Sequence, residues 1–211
     1  MAGNTLVIFT CDNGPWLIFG AHGGSADPLR EGKFTTFEGG QRVPCVMKWP
    51  KFIPAGETCT EIASTLDLLP TIAKITNSKL PENKIDGHSI TDLLAAKKNA
   101  KSPTDAFYFY RAWDLEAVRV GKWKLHFPHG YNMVIDSEVG NVHGKKNIKS
   151  EIGLALFNLE NDISETKNIA DKHPDVVKLL KSKADEMRKD LGDGEIKGSG
   201  RRDCGWQVVQ D

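Results

Sequence analysis

The run "LVIF" at positions 6 to 9, followed at once by "TCDNGP", constrains this chain more than any other feature. Four consecutive apolar residues without polar alternation suit a strand covered on both faces, as in a parallel sheet between helices. A second run, "VPCVMKW" at 43 to 49, lies between Gly39-Gly40 and Pro50. The stretch "STLDLLPTIAKIT" then reads as a helix, with Ser64 or Thr65 to cap it, Asp67 at its positive end and Pro70 early enough to be tolerated. Leu68, Leu69, Ile72, Ala73 and Ile75 form its expected buried stripe. Two buried strands and one helix do not close an α/β sandwich, so the expectation is that partner strands lie outside this chain.

The polar stretch "AKKNAKSPTD", from 96 to 105, breaks structure and is expected to divide the chain. After it come "AFYFYRAW", "AVRVG" and "KWKLHF", short aromatic and β-branched segments that read as antiparallel strands joined by tight turns. "NMVIDSEVGNVHGKKNIKSEIG" reads as a long loop, and "LALFNLEND" as one more strand. "HPDVVKLLKSKADEMRKDLG" has Pro174 at its first turn and Gly192 past its end, with an apolar stripe of Val177, Leu180, Ala184, Met187 and Leu191. The expected organisation is therefore a unit at 1–100, a small sheet with a helix at 101–192, and a poorly ordered tail at 193–211.

Composition narrows the function classes. With 39% hydrophobic and 27% charged residues the chain is an ordinary globular one, and Lys plus Arg balance Asp plus Glu at 28 each, so no net field draws nucleic acid. No apolar run approaches the roughly 18 residues that span a bilayer, and "MAGNTLVIFT" lacks the basic start of a signal peptide. Cys11, Cys45, Cys59 and Cys204 are scattered, without a zinc-type spacing. Cys11 and Cys45 sit in apolar runs and are expected as buried free thiols.

"DNG" after a strand is a common turn. At the C-terminal end of a strand in an open α/β sheet, however, Asp12 and Asn13 also offer the carboxylate and amide oxygens that calcium or magnesium prefers. In "LREGKFTTFEGGQRVP" the P-loop pattern fails, since Asp27 stands five before Gly32 and Phe34 follows Lys33. A lone lysine is usually solvated, yet Lys33 lies in a loop returning beside the "DNG" strand, where its ammonium can neutralise an oxyanion. Arg30, Arg42 and Glu38 are expected to brace that loop through ion pairs.

The ordered series "TLVIFTCDNGP", "HGG", "PLREGKFTTFEGGQRVPCVMKWP", "STLDLLPTIAKIT", "DGHSI" and "LFNLENDISETKNIA" resembles the C-terminal half of a type I sulfatase, near the arylsulfatase A group. The likeness runs from Thr5 to about Leu191 with order and spacing kept. It implies an α/β fold, namely the C-terminal part of an alkaline-phosphatase-like sandwich followed by a small antiparallel β-sheet with a packed C-terminal helix. It implies that Asp12 and Asn13 are metal ligands, the metal being Ca2+ with Mg2+ as the alternative. Lys33 is implied as the catalytic residue that contacts the substrate sulfate. His22 shares the loop and is a candidate for substrate contact, although a loop histidine without a task fits it better. His88 is expected to stabilise a loop, and Arg111, Trp113 and His129 to line a pocket rim.

The resemblance also exposes a departure. The family's nucleophile is a formylglycine made from a C/S-x-P-S-R motif, and no Cys or Ser of this chain begins that pattern. The remaining metal ligands also belong to the family's N-terminal half. In the complete enzyme the hydrated formylglycine attacks sulfur while the metal and the lysine offset charge on the sulfate oxygens. The 211 residues alone are therefore expected to be inactive, with a sulfate ester as the substrate of the complete enzyme and the N-terminal half as a partner. Periplasmic, extracellular or lysosomal placement is the family's usual compartment. The alternatives are a related phosphate- or phosphonate-ester hydrolase and a non-catalytic interaction module built from residues 107–191.

Overall fold

The computed structural model describes residues 2–139 and 142–202, with backbone alone for 138, 139, 142 and 143. Strand β1, Val7–Thr10, does not enter a parallel sheet: it pairs antiparallel with β2, Cys45–Lys48, in register from Val7 opposite Lys48 to Thr10 opposite Cys45. Neither strand is doubly covered. Val7 (55%), Phe9 (70%) and Val46 (64%) face solvent, and Cys11 and Cys45 are exposed free thiols rather than buried ones. Apolar composition sets which face is suited to burial, but covering it needs further elements, and those described here pack elsewhere.

Between β1 and β2 the chain makes a 3-10 segment, Leu17–Gly23, kinked at Gly20, and the single turn α1, Glu38–Gln41. After a 3-10 turn at Thr65–Asp67 comes α2, Leu68–Thr76. Asp67 and Ser64 form a capping box, and the other Asp67 oxygen accepts the His88 amide at 2.8 Å. His88 thus does fix a loop, through its backbone. The expected stripe of α2 is only half right. Pro70, Thr71 and Ala73 are buried, while Leu69 and Ile72 are half-exposed on the open side. A further turn, α3, spans Thr91–Leu94.

The C-terminal unit is a four-stranded antiparallel sheet in the order β3, β4, β5, β8, formed by Phe107–Arg111, Asp114–Val120, Trp123–His126 and Ala155–Asn158. Between β5 and β8, the segment read as a loop is a long ribbon: β6, His129–Val139, pairs with β7, Val142–Ile152, along their whole length. Helix α4, Pro174–Asp190, lies on one face of the four-stranded sheet. As its periodicity predicts, Leu180 and Ala184 are fully buried and Val177 and Met187 pack beside them, against Leu115, Val118, Leu125, Phe127 and Leu156. The segment after 192 does not trail off at once. Strands β9, Gly192–Asp193, and β10, Ile196–Lys197, pair, and the Asp193 carboxylate binds the Leu115 amide and Arg188. The tail from 203 onward lies outside the described residues. No described helix is long and apolar enough to cross a membrane.

The other face of the sheet carries charge. Register sets Arg119 opposite Lys124 and Ala117 opposite His126, so Arg119, Lys124 and His126 share the face that α4 does not cover. Residues 35–40 cover it instead, and that places the candidate site.

Candidate functional site

Two loops are fastened together by backbone hydrogen bonds. The Gly14 amide donates to the Gly40 carbonyl at 2.9 Å, and the Lys33 amide donates to the Pro15 carbonyl at 2.9 Å. A β-carbon built on Gly14 would stand 1.8 Å from the Gly39 carbonyl oxygen, so only glycine permits this approach. Gly14→Ala is expected to push the "DNG" turn off α1 at a cost of about 2 kcal/mol, read as a lower urea midpoint. An unchanged midpoint would show that the loops are not held this closely.

Lys33 sits between residues whose backbones are strained. Glu31 has φ 58° and Phe34 φ 74°, left-handed values that side-chain-bearing residues rarely adopt. The conformation is held by Thr35, whose amide and hydroxyl both donate to the Gly32 carbonyl, at 3.2 and 2.8 Å. The Lys33 ammonium lies 5.1 Å from the Trp16 ring centroid and 5.5 Å from that of Phe34. Among the described residues no carboxylate pairs with it, which leaves the charge available to an oxyanion. Beside it, the Glu31 carboxyl is half-buried, and burial lifts it above the usual range against the opposing pull of Arg30 and a bond from the Val134 backbone.

Asp12 is exposed, and one of its oxygens accepts the Asn13 amide at 3.0 Å. A carboxylate and an amide oxygen are hard donors suited to Ca2+ or Mg2+, but Ca2+ takes roughly six to eight oxygens. Among the described residues no group of three or more His, Cys, Asp or Glu could hold a metal. The turn fits part of a coordination shell. His22, at the end of the 3-10 segment, is exposed and does not line the cleft at Lys33.

The residues expected at a pocket rim lie elsewhere. Arg111 donates to Glu116 at 2.6 Å, Trp113 lies under the Arg201 guanidinium at 4.0 Å, and His129 is buried 3.5 Å from Glu116. Arg111 and His129 thus share the buried Glu116, and beside them lies a buried charge cluster that the sequence reading missed. Lys124, wholly buried, has its ammonium 3.0 Å from Glu38, 3.0 Å from Glu165 and 2.8 Å from the Thr36 carbonyl. Glu165 also accepts the Glu38 amide at 2.7 Å and the His126 ring at 2.8 Å. Glu38 pairs with Arg119 at 3.1 Å and with Arg42 at 3.7 Å. Glu38 and Arg42 therefore brace the loop as expected. Arg30 does so differently, donating to the Glu165 carbonyl and the Tyr131 hydroxyl while stacking 4.1 Å from the Phe37 ring centroid.

Protonation in this cluster follows from burial and charge. Burial alone would raise the Glu165 carboxyl, but Lys124 and the His126 bond outweigh it and bring it to about 2. An ionised Glu165 can only accept, so His126 carries its proton on Nε2, and its buried Nδ1 is left without a donor. Burial, helped by Lys124, takes His126 down to about 4 despite Glu165. The contact is a hydrogen bond to a neutral ring rather than an ion pair.

A ring held neutral by the fold gives stability that is complete above the unfolded value of 6.5. It is lost as the pH falls from 6.5 towards about 4, because the unfolded chain takes up the proton first. The loss is on the order of 3 kcal/mol. Thermal melts across that window should show a steep acid limb that is shallower in His126→Gln; parallel limbs would remove His126 as its cause.

The comparisons with known proteins agree with this organisation. Residues 1–78 match the sulfatase family, and residues 102–203 match the family described as the C-terminal region of aryl-sulfatase. Arylsulfatase A of Bos taurus is 39% identical over 182 residues, covering 83% of this chain and 35% of that protein. Arylsulfatase A of Homo sapiens is 37% identical over 187 residues, covering 84% and 36%. Among solved structures, the PsFucS1 sulfatase from Pseudoalteromonas sp. superposes with a TM-score of 0.69 at 28% identity, covering 89% of this chain and 38% of that one. The chain thus spans about a third of the length of the relatives it matches. With both of its halves matched in order, it belongs to the sulfatase family and corresponds to the C-terminal portion of its members.

Proposed function

We propose that this segment serves sulfate-ester hydrolysis, with Lys33 binding the sulfate and Asp12 and Asn13 giving two oxygens to a Ca2+ site, Mg2+ being the alternative. The observation that supports the reading is the backbone fastening of the Lys33 loop to the segment just after the "DNG" turn, through the Lys33 amide on the Pro15 carbonyl and the Gly14 amide on the Gly40 carbonyl. Lys33 would stabilise negative charge on the sulfate oxygens as the ester bond to sulfur breaks. Its two aromatic neighbours lie 5.1 and 5.5 Å away and attract the ammonium by their electron-rich faces, which holds it in the loop. A bound cation would supply Lewis-acid polarisation of the same oxygens. The nucleophile and the remaining ligands would come from residues outside these 211, since no Cys or Ser here begins the formylglycine motif.

The test is a graft of this segment in place of the matching portion of bovine arylsulfatase A. A folded chimera should hydrolyse 4-nitrophenyl sulfate, whereas the 211 residues alone should not exceed buffer. A folded but inactive chimera sinks the proposal. Preference for 4-nitrophenyl phosphate would instead favour the phosphate-ester reading.

A further inference from the structure

The loop that carries Lys33 is closed at its base. The Gly39 amide donates to the Arg30 carbonyl at 2.9 Å, and a β-carbon on Gly39 would stand 2.2 Å from the Glu31 carbonyl oxygen, so the loop leaves and returns at one point. Inside that closure the Thr35 amide and hydroxyl hold the Gly32 carbonyl, which fixes the turn at Lys33. The returning limb, residues 36–38, lies on the sheet over Lys124 of β5. That side chain is wholly buried, with its ammonium 2.8 Å from the Thr36 carbonyl and 3.0 Å from the Glu38 carboxylate. Glu165 takes the third position at 3.0 Å, and the Phe109 ring centroid lies 4.1 Å from the nitrogen.

An ammonium has three protons and no acceptor, and here three oxygens meet it. Apolar side chains of similar volume often replace a buried ion pair without loss of stability, so holding the sheet together does not by itself call for this charge. What it adds is direction. Two of its bonds go to the returning limb of the Lys33 loop, and the third goes to the carboxylate that also accepts the Glu38 amide at 2.7 Å.

We propose that Lys124 is a positioning residue for the reaction: its buried ammonium, through Thr36 and Glu38, sets where Lys33 stands relative to the "DNG" turn. The inference rests on the sulfate-ester reading of Lys33. The gripped limb runs on into α1, whose Gly40 carbonyl accepts the Gly14 amide, so one buried charge spaces both parts of the proposed site. A misplacement of about 1 Å that originates far from the reacting atoms can cost roughly a hundredfold in rate. Being wholly buried, Lys124 acts only through the loop.

The test removes the charge pair without stranding a charge, by combining Lys124→Met with Glu165→Gln. The new amide can accept the Glu38 N–H and donate to the His126 ring, and Glu38 keeps Arg119 at 3.1 Å, so the fold is kept while the Thr36 carbonyl loses its donor. In the arylsulfatase A chimera the pair is expected to lower kcat about 10- to 100-fold, with KM within about threefold. In a chimera that already carries Lys33→Ala it should cost less than about threefold more, because nothing is left to position. A general loss of folded enzyme would act by the same factor in both backgrounds.

Equal factors in the two backgrounds, or an unchanged kcat, would overturn the positioning role and leave the sulfate reading standing on the cost of Lys33→Ala alone. If Lys33→Ala itself costs less than about tenfold, the sulfate reading falls and the positioning role falls with it. Amide hydrogen exchange in the unsubstituted 211-residue chain separates the grip from the chemistry and needs no variant. The Lys33 and Thr35 amides are expected to exchange as slowly as the Glu38 amide, since one cooperative unit opens together. Rapid exchange at Lys33 beside a protected Glu38 would show that the grip does not reach the loop, and would overturn the proposal whatever the chimera does.

Discussion

Glu165→Ala should destabilise the chain by about 3–5 kcal/mol, the range for removing one partner from a buried charge pair. Glu165 is fully buried and is shared by Lys124, His126 and the Glu38 amide, at 3.0, 2.8 and 2.7 Å. Without it, Lys124 keeps only Glu38 and the Thr36 carbonyl, and the Glu38 amide is buried without an acceptor. Because Glu38 begins α1, the loss is felt where the Lys33 loop meets the sheet. The double variant Glu165→Ala with Lys124→Met should recover part of the loss, since a methionine leaves no uncompensated ammonium. Urea unfolding measures both. A single-variant loss below about 1 kcal/mol would mean that water reaches the cluster and screens it.

That cluster shows where sequence reading stops. In "AVRVG" and "KWKLHF" charged and apolar residues alternate, and alternation predicts one buried and one solvated face. Half of this is correct: Val118, Leu125 and the α4 stripe make the core. The charged half is also buried, because residues 35–40 lie over it, and period alone does not separate a solvated lysine from one enclosed by two glutamates. The ribbon was missed for a related reason. Its strands carry Lys145, Lys146, Asn147 and Lys149 on largely open faces, so polarity suggested a loop. Gly140-Asn141 between two runs of similar length was the available hairpin signal. The "DNG" and "GK" loops were read as candidate chemistry, because turn residues and an isolated lysine bear directly on what ligands they suit. Their mutual fastening was not, since it depends on Gly14 and Gly39 approaching from far apart in sequence. In β1, the apolar run was read correctly as strand, and its burial was overestimated because burial belongs to neighbours rather than to the run.

Lys33→Ala, placed in the arylsulfatase A chimera, should lower kcat/KM for an aryl sulfate by about 100- to 1,000-fold, the effect of removing one donor from developing transition-state charge. If the lysine binds sulfate more tightly as charge builds on its oxygens, most of the loss lies in kcat rather than KM. Lys33→Arg should restore only part of the rate. A guanidinium keeps the charge but spreads it over a planar fork, and the space between Trp16 and Phe34 holds a compact ammonium 5.1 and 5.5 Å from the two ring centroids. Stability supplies the control. Among the described residues Lys33 makes no ion pair, and its side chain touches only the exposed Trp16 and Phe34 rings, so the alanine variant should melt within about 3 °C of its parent. A large rate loss at constant melting temperature therefore reports on the transition state. A loss below about tenfold would place the ammonium outside contact with the sulfate, and the charge stabilisation would then have to come from another group, such as the cation proposed for Asp12 and Asn13.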